Sequence, residues 1–159
     1  MSTVEDRLAE LNLTVPDVVP PVASYVPAQR DGRRIYTSGQ LPMQDGKLPV
    51  TGKVGEGPGH VTPERAADLA QICALNAIAA VKSVVGDLDR VAQVVKVVGF
   101  VASDPAFTGQ PAVVNGASDL LGRAFGDKGV HARSAVGVAS LPLDAPVEVE
   151  IVVALDEDD

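Results

Sequence analysis

The sequence predicts an α+β domain in which one mixed β-sheet carries two main helices on a single face, with a short helix at the N-terminus. Three observations predict it. The 159 residues are 46% apolar, the size and composition of one domain with a substantial core. Hydrophobic periodicity runs in the order β-β-α-β-α-β-β, and strands interleaved with helices suit one sheet with helical cover. The pair Asp31-Gly32 joins two extended runs, a hairpin signal because type I′ turns need positive φ at both central positions. The expected domain spans 1–159, with 1–20 as an N-terminal extension and 156–159 as an acidic tail.

Each element has a local reason. Ser2 precedes Glu5 at capping-box spacing, and Leu8, Leu11 and Leu13 give the following segment an apolar side. Pro16, Pro20, Pro21 and Pro27 then stop any helix, and the stretch Tyr25 to Gly39 reads as the two extended runs. Lys47 to Gly59 is rich in Gly and Pro and reads as a surface loop. From Pro63 to Val85 a helix is expected: Thr62 caps it, Pro63 fits its first turn and Gly86 terminates it. Val91 to Val101 is apolar and rich in β-branched residues, as a central strand buried on both faces should be. A right-handed β-α-β crossover follows from that order. A second helix, Pro111 to Phe125, ends at Gly126, and two strands, Ala132 to Ala139 and Val147 to Leu155, complete the sheet.

Composition excludes several function classes. Formal net charge is −8, so the long-range field repels polyanions and non-specific nucleic-acid binding is disfavoured. The one cysteine, Cys73, has no partner for a disulfide, CxxC or zinc cluster, and reads as a small buried apolar residue. The start shows no charged-then-apolar signal pattern, and no uninterrupted apolar run is long enough to span a bilayer. A cytoplasmic protein without membrane attachment is the expectation. His60 and His131 lack any metal-binding spacing and read as surface histidines. Ser38 lacks the context of a hydrolase elbow, and Gly52-Lys53 is followed by Val54 where a phosphate loop needs Ser or Thr. Asn76 and Asn115 fall within helices, where a hydrogen bond to a nearby loop is the plain reading.

The C-terminal strands carry the main chemical signal. Val147, Val149 and Ile151 alternate with Glu148, Glu150 and Val152, so the apolar set should lie under the helices. If Val136 and Val138 join that core, Arg133, Ala135, Gly137 and Ala139 face the other way, on the side of Glu148. An antiparallel pairing of these two strands through the loop Leu141 to Pro146 would then set a guanidinium beside carboxylates on a surface otherwise made of Ala and Gly. A second subunit is the expected cover for such a face. Spacing alone leaves two readings of Arg133 and Glu148, an ion pair at a subunit contact or a catalytic pair.

Three stretches, TSGQLP, HARSAVGVASLP and APVEVEIVVAL, resemble the most characteristic segments of the RidA/YjgF family. ALNAIAAVKSVVGDLDRV, VVKVVGFVAS and AVVNGASDLLGRAFG continue the likeness, which runs from about Tyr25 to the C-terminus. The resemblance implies a chorismate-mutase-like α+β fold, a homotrimer and clefts between subunits. It also implies hydrolytic deamination of 2-imino or enamine acids to 2-keto acids without a cofactor or metal. In that scheme Arg133 grips the substrate carboxylate and Glu148 orients the attacking water, while Tyr25, Ser38, Gly39, Asn115 and Ala135 line the pocket. Ala135 stands where the family often has cysteine, and the loop Lys47 to His60 is longer than in the best-studied deaminases. The alternatives are a protein that binds a small carboxylate without converting it and, behind that, the ribonuclease activity attached to parts of the family.

Overall fold

The structure, a computed structural model, describes residues 1–21 and 23–156. Of the expected acidic tail, Glu157, Asp158 and Asp159 lie outside the described residues.

Helix α1, Thr3–Glu10, forms where expected, with both arms of the Ser2/Glu5 capping box made. The Glu5 carboxylate also bonds Lys82, and mainly through that bond its pKa falls to about 2. Arg7 donates to the Ala124 carbonyl at 3.4 Å, so α1 is held against the helical layer. Strands β1, Ala28–Asp31, and β2, Arg34–Thr37, make the hairpin. Its two-residue loop is Gly32-Arg33, and of these Gly32 alone has positive φ, at 59°. Glycine at the first central position suits a type II′ turn, which replaces the expected type I′ turn on Asp-Gly.

Helix α2 runs Pro63–Val85, with the Thr62 hydroxyl accepting from the Arg65 N–H and Gly86 closing it at φ 76°. By length and composition alone α2 could cross a membrane, although Asp68, Gln71, Asn76 and Lys82 interrupt its apolar run. Here it is a core helix: Leu69, Ala70, Cys73, Ala77, Ile78 and Ala80 are fully buried. Helix α3, Gln110–Phe125, lies against it so closely that a Cβ on Gly116 would come within 1.9 Å of the Ala67 carbonyl oxygen. Glycine is what permits that backbone approach.

Strand β3, Val91–Ala102, lies inside the sheet as expected, but it is buried on one face and not on both: Val94, Val97 and Val101 are buried, whereas Val98 and Phe100 on the other face are only partly covered. With β4, Ala132–Val138, and β5, Val147–Leu155, the sheet has the order β1-β2-β5-β3-β4. β3 pairs antiparallel to β5 and parallel to β4, so the expected β4–β5 antiparallel pair does not exist. β5 instead inserts between β2 and β3. β2 and β3 are both antiparallel to β5 and hence parallel to each other, so α2 makes the expected β-α-β crossover between them, and α3 makes a second one between the adjacent parallel strands β3 and β4. Val94, Val97, Val101, Val147, Val149, Ile151 and Val153 are buried beneath α2 and α3, which share one face of the sheet.

The expected facing of β4 is also reversed. Arg133, Ala135 and Gly137 pair with Val97, Gly99 and Val101, so they lie on the helix side, whereas Val136 pairs with Phe100 and stands 44% exposed on the open face. The cause is the closeness of α3. A Cβ on Gly99 would sit 2.4 Å from Val114, and Gly137 lies against the Gln110 side chain, so small residues line the seam where β3 and β4 meet α3. The loop expected at the surface is partly anchored: Val54 is fully buried, donates to the Ala102 carbonyl at 2.7 Å and accepts from Asp104 at 2.9 Å.

Candidate functional site

The seven residues singled out by the resemblance fall into two groups on different parts of the molecule. Arg133 and Glu148 do not share a face. Glu148 pairs with Phe100 and points to the open side of the sheet, whereas Arg133 points under α3 on an edge strand. Reversal of β4 and insertion of β3 between β4 and β5 account for the correction.

The first group is built on a bulge. β2 and β5 are in register at Tyr36↔Val152 and bridged again at Gln40↔Val149, so four residue steps on one strand match three on the other. The extra residue bends the chain outward, a usual consequence of a bulge. The Thr37 hydroxyl takes the Ile151 N–H at 3.0 Å where the ladder is broken. Ser38 then reaches back, its N–H donating to the Pro27 carbonyl at 2.8 Å and its hydroxyl to the Val26 carbonyl at 2.6 Å, which ties it to the segment holding Tyr25. Gly39 lies directly against Glu148: a Cβ there would fall 1.9 Å from Glu148 Oε1. Asn76 secures the chain beyond, donating to the Leu41 and Met43 carbonyls at 3.0 Å each, as its helical position suggested.

Burial, and after it repulsion from Glu150, push the Glu148 carboxyl above its ordinary value near 4.5. The folded chain therefore holds this proton more tightly than the unfolded chain. The associated stability is fully present below the ordinary value and is lost as pH rises through the raised one. Glu148→Gln is accordingly expected to melt at a higher temperature than wild type at about pH 7 to 8, and the gap should close on acidification below about pH 4.5. Thermal unfolding followed across that range checks the sign.

The second group sits where β4 meets α3. Arg133 Nη1 donates to Asn115 Oδ1 at 2.7 Å and to Ser118 Oγ at 3.3 Å, and Nη2 donates to the Pro111 carbonyl at 3.3 Å. A guanidinium has five N–H donors. Among the described residues, Nε–H and one N–H of Nη2 are without a partner, enough to grip a carboxylate with two bonds. Ala135 packs partly on the core behind Arg133. Sequence reasoning missed Ser118 and left His131 as a surface residue, yet the two adjoin Arg133: the Ser118 hydroxyl lies 2.8 Å from His131 Nε2. Their signal was positional, since Ser118 is one helical turn beyond Asn115 and His131 stands two residues before Arg133, just ahead of β4.

The remaining candidates lie apart. His60 stands 3.7 Å from Asp104 with its Nδ1 enclosed, so it is less exposed than a surface histidine. Cys73 is fully buried, and burial raises its thiol pKa. A cavity of about 540 Å³ lies between the N-terminal arm and α2, lined by Leu13, Val18, Met43 and Ile72 among others, and contains none of the seven residues.

Residues 5–155 match the model of a family described as YjgF/chorismate mutase-like, a description that also carries an endoribonuclease label. The chain is 44% identical over 153 residues to protein TCP17 of Trypanosoma cruzi, covering 96% of this chain and 94% of that one. Among solved structures it resembles Atu1372 of Agrobacterium tumefaciens, whose function is unknown, at 44% identity and TM-score 0.88, with 97% of this chain and 93% of that one covered. It also resembles a Shewanella oneidensis MR-1 protein given the endoribonuclease designation, at 31% identity and TM-score 0.92, with 97% and 100% covered.

Proposed function

Because the chain belongs to the YjgF/chorismate mutase-like family, we propose that it hydrolyses reactive 2-imino acids to 2-keto acids and ammonia. The sites are clefts where the Arg133 group of one copy meets the Glu148 group of another. One observation carries this reading: a guanidinium with two unused donors and a half-buried carboxylate lie on different faces of the chain, each an incomplete site. A neighbouring copy can supply the missing half. Tyr36, Phe100, Val136 and Val152 give the open sheet face an apolar component suited to burial against further copies, and a closed homotrimer repeats one such contact three times.

The chemistry follows from the two groups. Arg133 holds the substrate carboxylate and fixes the adjacent C2. Water attacks C2 from the Glu148 side; a C–O bond forms and the carboxylate accepts the proton the water sheds. The C=N π pair goes to nitrogen, which takes that proton from Glu148 to give a neutral carbinolamine; Glu148 then carries the hydroxyl proton to nitrogen as the C=O bond forms and the C–N bond breaks, so ammonia leaves and a 2-keto acid remains. A carboxyl raised above its usual range is suited to both transfers. An imine is already electrophilic, so the protein's own groups suffice for this step.

The test is the decay of 2-iminobutanoate generated in situ by an amino-acid oxidase, measured with wild type and Arg133→Ala. Acceleration by wild type alone supports the reading. Saturable 2-oxobutanoate binding with no acceleration would replace it with a carboxylate-binding protein. The endoribonuclease label is the third outcome, though Glu148 and Glu150 on the open face repel phosphates. RNA cleavage that survives rigorous purification and is lost in Arg133→Ala would favour it.

A further inference from the structure

We infer that His131 and Ser118 are positioning residues that aim Arg133, and that they do so through a hydrogen-bond relay with a fixed direction. The inference deepens the proposed function, because it takes Arg133 as the carboxylate-gripping group. His131 Nδ1 lies 2.6 Å from the Gly129 carbonyl oxygen. A carbonyl can only accept, so Nδ1 carries the ring proton, and in the neutral ring Nε2 is an acceptor. The Ser118 hydroxyl, 2.8 Å from Nε2, must then donate to it. With its hydrogen committed, the Ser118 oxygen presents lone pairs, and Arg133 Nη1 donates to it at 3.3 Å.

The relay has a geometric result. One Nη1 hydrogen goes to Asn115 and the other to Ser118, and Nη2 is held by Pro111, all on α3. The guanidinium is thus fastened at one corner by three acceptors on a rigid helix, and its remaining donors keep one orientation. Without His131 the Ser118 hydroxyl can rotate and offer its hydrogen toward Arg133, which turns an acceptor into a competing donor. Arg133 would keep its charge and lose its aim. Directional restraint of this kind stabilises a bidentate carboxylate more than a point charge does.

The experiment uses the full-length protein and 2-oxobutanoate as the probe. Nitrogen-15 NMR of the His131 ring in wild type is expected to show the proton on Nδ1. Calorimetric affinity is expected to weaken about five- to tenfold in Ser118→Ala and in His131→Phe, the scale of one or two lost hydrogen bonds. Ser118→Thr, which keeps the hydroxyl, should bind within about twofold of wild type. Arg133→Ala should bind no measurable ligand. A ring proton on Nε2, or wild-type affinity in both relay variants while Arg133→Ala has lost binding, would overturn the relay and leave the proposed function standing. Undiminished binding in Arg133→Ala would overturn both.

Discussion

A reassembled mixture of Arg133→Ala and Glu148→Gln subunits, each inactive as a pure preparation, is expected to recover about a quarter of the wild-type deaminase rate. In the proposed arrangement each site takes its arginine group from one copy and its glutamate group from a neighbour. In a random equal mixture, half the arginine donors are intact and half the glutamate donors are intact, so about one site in four is complete whatever the number of copies. A site built within one chain gives a different result, since every chain in the mixture then lacks one group and the rate stays at zero. The open-face position of Glu148 and the helix-side position of Arg133 favour the first arrangement. Unfolding the two variants together, refolding them and following imine decay against the mixing ratio decides it. The rate should pass through a maximum near equal proportions, and the same variants mixed after separate folding should stay inactive unless subunits exchange.

The same two strands mark the boundary of what the sequence discloses. The Ser2/Glu5 box, the Thr62-Pro63 start and Gly86 and Gly126 stops are interactions within a turn or two of chain, and the helices they bound appear where expected. The positions of β3, β4 and β5 were equally legible as segments, because alternation and β-branching are local. Their order was not. That β5 lies between β2 and β3 depends on pairings up to about 120 residues apart, for which no local pattern exists. The facing of β4 failed for a related reason. Arg-Ser-Ala-Val-Gly-Val alternates acceptably in either sense, and the choice was made by tertiary packing, since α3 lies close over Gly99 and Gly137 and supplies the acceptors for Arg133 on that inner face. Residues of the candidate site were therefore identifiable by resemblance, but their division between two faces, and the relay that places His131 beside Arg133, required the fold.

Gly39→Ala should reduce deaminase activity by about 10²–10⁴-fold, to the level of Glu148→Gln, while leaving the fold intact. The added Cβ would meet Glu148 Oε1 at 1.9 Å, Cδ at 2.8 Å and Cγ at 3.2 Å, so the carboxyl must leave its position. What blocks the methyl group is the far end of a flexible side chain, which can rotate toward the open face at small cost. Gly116 offers the contrast, since its obstacle is the Ala67 backbone and a methyl group there must push two helices apart. Gly39→Ala is therefore expected to fall within about 1 kcal/mol of wild-type stability, in the range of ordinary substitutions. The decisive measurement is the double variant. If Gly39 acts by holding space for Glu148, adding Gly39→Ala to Glu148→Gln should cost no further activity, because the two changes remove the same interaction. Multiplied losses would mean that Gly39 serves the reaction by another route, for instance by presenting its own backbone N–H to the substrate.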